Sequence, residues 1–179
     1  KLDDVLTPGE ILHEAILQAN QVLLNVRKSE AGSDRGTTIT AALIIGEKCT
    51  VANVGDSRTY LMRRNHLEQI TEDHSVVARL VASKSIKPSE VRSHPKRNQI
   101  LRTLGDKPQV EVDLFEEILA PGDKLLLCSD GLWEMVLDEE IEKVMNKART
   151  PQSTCDHLID MANANGGEDN ISVVVIWLE

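Results

Sequence analysis

A chain of 179 residues is long enough for one compact domain with a proper core and too short for two. Its 41% hydrophobic and 27% charged residues exclude a disordered protein, and 2% aromatic residues leave the core to Leu, Ile, Val and Ala. Twenty basic against 29 acidic residues, a formal charge of -9, argue against a nucleic-acid partner and suit a protein that gathers divalent cations.

Cys49, Cys128 and Cys155 are odd in number, far apart and free of any CxxC pairing, so they read as reduced thiols of a cytoplasmic protein. No apolar stretch approaches the length of a membrane span, and the N-terminus lacks a basic-then-apolar signal, so no membrane partner is expected. The first residue is Lys rather than Met, which suggests a start inside a longer protein.

The first predicted element is a helix beginning at "TPGEILHEAILQANQVLLNV". Thr7 caps it, Pro8 takes the first helical position and Glu10 completes a capping box. Ile11, Ala15, Ile16, Ala19, Val22, Leu23 and Val26 recur at helical spacing and mark its buried face. After the polar break "AGSDRG", the β-branched run "TTITAALIIG" predicts a strand buried on both sides. "CTVANVG", "TYLMRR" and "HLEQIT" continue it as a meander of antiparallel strands.

From Asp73 to Gly105 the chain turns polar. This predicts an inserted flap at about 74–105, with a helix over Val76 to Ser83 and a short one after Pro88. "EVDLFEEILA" and "KLLLCSD" are two further strands joined by the Pro121-Gly122 turn. A helix capped by Asp138 follows, then one capped by Thr150 with Pro151 inside it and Gly166-Gly167 as its stop. The apolar strand "NISVVVIWL" closes the chain. Strands dominate the middle without strict helix alternation, which predicts an α+β fold: a layered sandwich of antiparallel sheets with helices on the outer faces.

Three aspartates share one pattern. Asp56 ends "TVANV" in a Gly-Asp-Ser turn, Asp130 ends "LLLC" in a Ser-Asp-Gly turn, and Asp169 precedes the last strand in "GGEDNISVVV". Taken singly, each is an ordinary turn or capping residue, and spacing alone does not bring the three together. If their strands are neighbours, three carboxylates converge at one end of the fold. A hard cation such as Mg²⁺ or Mn²⁺ would relieve their repulsion.

The blocks "VANVGDSRTYL", "ITEDHS", "HPKRNQILRTLG", "LLLCSDGLWEMV" and "GGEDNISVVVI" occur in this order, preceded by Gly36-Thr37-Thr38. Together they resemble the metal-dependent serine/threonine protein phosphatases of type 2C, over essentially the whole chain. The resemblance implies a single phosphatase domain over 1–179, built as an α-β-β-α sandwich with a binuclear Mg²⁺/Mn²⁺ site at one end. By that resemblance Asp130 and Asp169 are ligands of the first metal. Asp56, with Asp130, holds a third and weaker ion, and Gly131 and Asn170 support them. The implied reaction is attack of a metal-activated water on phosphoserine or phosphothreonine in a phosphoprotein substrate, with no covalent intermediate. The compact flap points to a bacterial source.

The sequence departs from the family at its beginning, where neither an "RxxNED"-like nor a "DGMGG"-like block occurs. These supply a phosphate-binding Arg, a metal-binding Glu and the bridging Asp, so no residue here is assigned a catalytic role. N-terminal strands are expected to be missing, which predicts weak or no activity for this chain and an exposed sheet edge through which it dimerises. Asp3 and Asp4 read as polar residues leading a helix. Arg35, Arg58 and Arg102 are the candidates for phosphate, with Arg58 the better fit to a structural ion pair and Arg35 to a turn. His74 and His94 read as hydrogen-bonded structural residues. Lys84, Lys87, Arg92, Lys96 and Arg97 make the flap basic. Trp133 and Trp177 read as core. The rival reading is a non-catalytic phosphatase-like module that binds a partner or a phosphoprotein.

Overall fold

The computed structural model describes residues 6–29 and 36–179. Asp3, Asp4 and Arg35, weighed above, lie outside these residues. Two antiparallel sheets with flanking helices give the expected α+β fold, and the chain packs as two units.

The first unit takes the described part of Lys1–Gly55 together with His74–Glu117. Helix α1, Pro8–Ser29, starts as predicted: the Thr7 hydroxyl accepts the Glu10 amide at 3.3 Å, and the Glu10 carboxylate accepts the Thr7 amide at 2.7 Å. Its buried face is rotated from the predicted one. Ile16, Asn20 and Leu24 are buried, whereas Ile11, Val22 and Val26 are exposed. Asn20 explains the rotation, because a polar residue occupies the centre of the inner face. Its Oδ1 accepts the Gly105 amide at 2.7 Å and its Nδ2 donates to the Lys107 carbonyl at 2.9 Å, so a loop's backbone groups are satisfied from the helix.

The helix packs on a three-stranded sheet of order β1-β2-β5, with β1 Ile39–Ile45, β2 Lys48–Val54 and β5 Asp113–Ile118. Strand β2 is almost wholly buried. Strand β1 is only half-buried, against expectation, because it is the sheet's edge and Ile45 is 57% exposed. Ile16, Ala52, Val54 and Leu104 form this unit's core. Within His74–Gly105, helix α2, Val76–Ala82, is capped by the Ser75 hydroxyl, and a single 3-10 turn spans Pro88–Glu90.

The second unit, Asp56–Asp73 with Ile118–Glu179, holds a four-stranded sheet of order β4-β3-β6-β7. Its strands are β3 Arg58–Arg63, β4 His66–Gln69, β6 Lys124–Cys128 and β7 Val173–Trp177. A tight turn through Arg64 and Asn65, both at positive φ, joins β3 to β4. The predicted meander is therefore two hairpins: the chain leaves one sheet after β2 and enters the other at β3, through Gly55-Asp56-Ser57. Strands β5 and β6 likewise belong to different sheets despite their short connection.

A one-turn helix α3, Asp130–Trp133, follows β6 where the sequence showed only a turn. Helix α4, Asp138–Lys147, is capped at Leu137 rather than at Asp138, with the Glu140 carboxylate accepting the Leu137 amide at 3.1 Å. Helix α5, Pro151–Ala164, starts at the predicted Thr150 cap. Tyr60, Leu126, Leu132, Trp133, Ile141, Met145 and Leu158 make this unit's core.

Candidate functional site

Strand register decides where the three aspartates fall. Arg58 of β3 faces Cys128 of β6, and Cys128 faces Val173 of β7. Antiparallel alternation then puts the start of β3, the end of β6 and the start of β7 at one end of the sheet. Asp56 lies just before Arg58, Asp130 just after Cys128, and Asp169 in the turn before β7. The strands that sequence spacing could only suppose to be neighbours are neighbours.

Local contacts fix the Asp130 and Asp169 turns to each other. The Ser129 amide donates to the Ser172 carbonyl at 3.1 Å, the Ser172 amide to the Ser129 hydroxyl at 3.0 Å, and that hydroxyl to the Asn170 carbonyl at 3.1 Å. Gly131 lies so close to the other turn that a Cβ there would sit 2.4 Å from the Asn170 carbonyl oxygen. A side chain at this position would push the two turns apart, so the glycine of "SDG" is required by this close approach.

Asp56 is held from below. The buried Trp133 indole donates to the Asp56 carbonyl at 2.9 Å, and the Arg58 guanidinium lies 3.6 Å from the centre of the Trp133 ring. Arg58 also forks onto Asp73, with contacts of 2.9 Å and 2.7 Å, and Gln69 donates to the same carboxylate at 3.0 Å. Arg58 thus makes the structural ion pair expected of it. Trp133, read as core, also pins the Asp56 backbone. Nothing in the sequence distinguished that role, because the indole follows an apolar run. Asp73, in the "TEDHS" block, was not foreseen as the partner of Arg58.

The carboxylates repel. Burial, then Asp130, pushes the Asp56 carboxyl up to about 6, with Asp73 and Glu134 adding to the rise. Burial, then Asp169, raises Asp130, opposed by the Gly131 amide, which donates to its carboxylate at 2.9 Å. Asp169 is exposed and accepts the Asn170 amide at 2.6 Å. Among the described residues no Lys, Arg or His pairs with any of the three. Unneutralised oxygen donors of this kind fit a hard divalent cation, which binds through one or two carboxylates with water completing its shell. Asp130 is coupled to both of the others, raising Asp56 and being raised by Asp169. No group of three acidic, His or Cys ligands for one ion occurs among the described residues.

The other candidates are occupied within the first unit. Arg102 donates to Asp113 at 2.6 Å and to Glu111 at 2.8 Å, which ties its guanidinium to two carboxylates instead of leaving it for phosphate. His74 accepts the Gly55 amide on Nδ1 at 3.0 Å, and its Nε2 lies 3.0 Å from the Asp113 carboxylate. The Nδ1 contact requires the tautomer protonated on Nε2. His94 accepts the Lys96 amide at 3.1 Å, so both histidines are hydrogen-bonded as expected.

The family model described as "Protein phosphatase 2C" matches residues 2–80. The serine/threonine phosphatase stp of Listeria monocytogenes serotype 4b is 40% identical over 176 residues, spanning 96% of this chain and 70% of that protein. The structure of serine/threonine phosphatase Stp1 from Staphylococcus aureus superposes with a TM-score of 0.92 at 35% identity, over 99% of this chain and 72% of that one. The catalytic domain of serine threonine protein phosphatase PstP, solved in complex with two manganese ions, gives 0.85 at 34% identity, over 97% and 73%. With its aspartates at one sheet end, its ordered motif blocks and these relatives, the chain belongs to the protein phosphatase 2C family and is a serine/threonine phosphatase.

Proposed function

We propose that the chain hydrolyses phosphoserine and phosphothreonine in phosphoproteins with Mg²⁺ or Mn²⁺ held by Asp130, Asp169 and Asp56. The observation that carries this reading is the register that gathers the three aspartates at one sheet end, two of them with raised carboxyls and none with a basic partner among the described residues. A divalent cation bound there supplies an activated water and neutralises charge on the phosphoryl oxygens. The protein's own part is to hold the ligands. Asp130 and Asp169 sit on turns locked by Ser129, Gly131 and Ser172. Asp56 sits on a turn pinned by the Trp133 indole. Such fixed placement reduces the reorganisation needed to bind an ion.

The 179 residues contain neither the "RxxNED"-like nor the "DGMGG"-like block, so no bridging aspartate or phosphate-binding arginine is assigned. We therefore expect weak turnover from this chain by itself. Among the described residues β7 is an edge strand of its sheet, which makes that edge the candidate for pairing with a second chain. Residues 74–105 serve as the flap of a single phosphatase domain in this reading. No described helix is long and apolar enough to cross a membrane, and the proposed setting is the cytoplasm of a bacterium.

The rival reading from the sequence, a phosphatase-like module that binds phosphoproteins without turnover, is separated from the enzyme by one assay. The test is phosphopeptide hydrolysis with and without Mn²⁺, beside Asp130→Ala. Metal-dependent phosphate release lost in Asp130→Ala supports the enzyme. Saturable phosphopeptide binding without release supports the module.

A further inference from the structure

The second unit carries a pocket outside the aspartate end of the sheet, between α4 and α5. It has a volume of about 420 Å³, within the range of small-molecule sites. Its wall is apolar: Val144, the buried residue of α4 that reaches it, Met161 of α5 and Ala148 just past the end of α4. Lys143 and Lys147, one turn apart on α4, and His157 on α5 line its rim. Neither lysine has an ion-pair or hydrogen-bond partner among the described residues. Glu140, the one acidic lining residue, is engaged by the Leu137 amide at the start of its own helix. In a chain of net charge -9, two lysines against one lining carboxylate make the lining of this pocket net positive.

We propose that this α4–α5 pocket is a binding site for a small amphipathic anion, an aliphatic or aromatic body ending in a carboxylate. The apolar body would lie against Val144, Ala148 and Met161, removing hydrocarbon from water. The carboxylate would lie between Lys143 and Lys147, neither of which has an ion-pair partner among the described residues. A neutral ligand of the same length would gain the first contribution and not the second. A small inorganic anion would gain only the second, in a setting where solvent and salt weaken it. The proposal is independent of the phosphatase reading, since it uses none of the residues assigned to the metal end.

The test is an amide NMR titration of the whole chain with octanoate, with 1-octanol and inorganic phosphate as comparisons. Expected are saturable shifts confined to α4, α5 and their connection, with octanoate at least tenfold tighter than either comparison. Lys143→Gln with Lys147→Gln is expected to weaken octanoate at least tenfold, and the paired Lys→Arg changes to preserve it. Both lysines are exposed, so the fold is retained. Ala148→Leu, which fills the pocket, is expected to abolish the shifts while leaving the rest of the spectrum in place. Shifts scattered over the surface, equal affinity for octanol, or octanoate binding indifferent to the paired Gln changes would each overturn the proposal.

Discussion

Replacing Asp56 by Asn is expected to stabilise the metal-free protein by an amount that depends on pH in a calculable way. Asp56 is 4% exposed, and its carboxyl rises from 3.8 to about 6, through burial first and Asp130 second. At ~1.4 kcal/mol per pH unit, that rise corresponds to about 3 kcal/mol. The folded-state value lies above the unfolded one, so the folded chain binds this proton more tightly. The associated stability is fully present below pH 3.8 and is lost as the pH rises through about 6. Asn keeps the shape without the charge. Its advantage over Asp is therefore expected to be about 3 kcal/mol near pH 7.5, about 1 kcal/mol near pH 4.5 and close to zero near pH 3. Urea unfolding in EDTA, followed by tryptophan fluorescence at several pH values, measures the difference directly. Comparing the two proteins at each pH cancels the titration of groups they share. An Asn variant no more stable than the parent near pH 7.5, or a gain that does not change with pH, would refute this account of the site's electrostatics.

Other perturbations test the scaffold. Gly131→Ala places a methyl 2.4 Å from the Asn170 carbonyl oxygen, a backbone atom, and is expected to cost about 1–3 kcal/mol and to weaken Mn²⁺ binding measured by calorimetry. Unchanged stability and affinity would contradict the tight apposition of the two turns. Asp73→Ala strands Arg58, whose side chain is 11% exposed, and is expected to cost about 3–5 kcal/mol in urea unfolding, with the Arg58→Met/Asp73→Ala pair recovering part of it. His74→Ala removes the acceptor of the Gly55 amide and is expected to cost about 1–3 kcal/mol and to speed hydrogen exchange at that amide, with His74→Asn restoring part of the protection.

The sequence was most informative where a local rule has a single outcome. The Thr7-Pro8-Glu10 start of α1 and the Thr150-Pro151 start of α5 appear as predicted because capping depends on residues within one turn. The buried face of α1 was misassigned because Asn20 satisfies backbone groups of a loop far along the chain, and hydropathy alone reads a buried Asn as an interruption. The meander was misread for a related reason. Alternation identifies strands, but it does not say in which sheet two successive strands pair, and β2 and β3 part company. At the site, the three aspartates were legible from position and from the family resemblance. Their common placement required the β3–β6–β7 register, and the Trp133 contact to the Asp56 carbonyl joins residues 77 positions apart.

Register and electrostatics together single out Asp130. After burial, it is the leading neighbouring charge that raises Asp56, and it is itself raised by Asp169. In the proposed function Asp130 is then the ligand common to two pairs, Asp56 with Asp130 and Asp130 with Asp169. A site of that form responds unequally to the loss of its ligands. Asp56→Asn leaves the pair Asp130 with Asp169, and Asp169→Asn leaves Asp56 with Asp130, so each is expected to retain a weakened Mn²⁺ isotherm. Asp130→Asn breaks both pairs and is expected to abolish binding in the same calorimetric titration. It also removes the neighbouring charge that helps hold the Asp56 carboxyl high, so that carboxyl is expected to titrate lower in Asp130→Asn than in the parent. NMR of the Asp56 carboxyl carbon against pH reads that shift without any metal present. Equal loss of Mn²⁺ across the three variants, with an unmoved Asp56 titration, would mean that Asp130 is not the shared ligand.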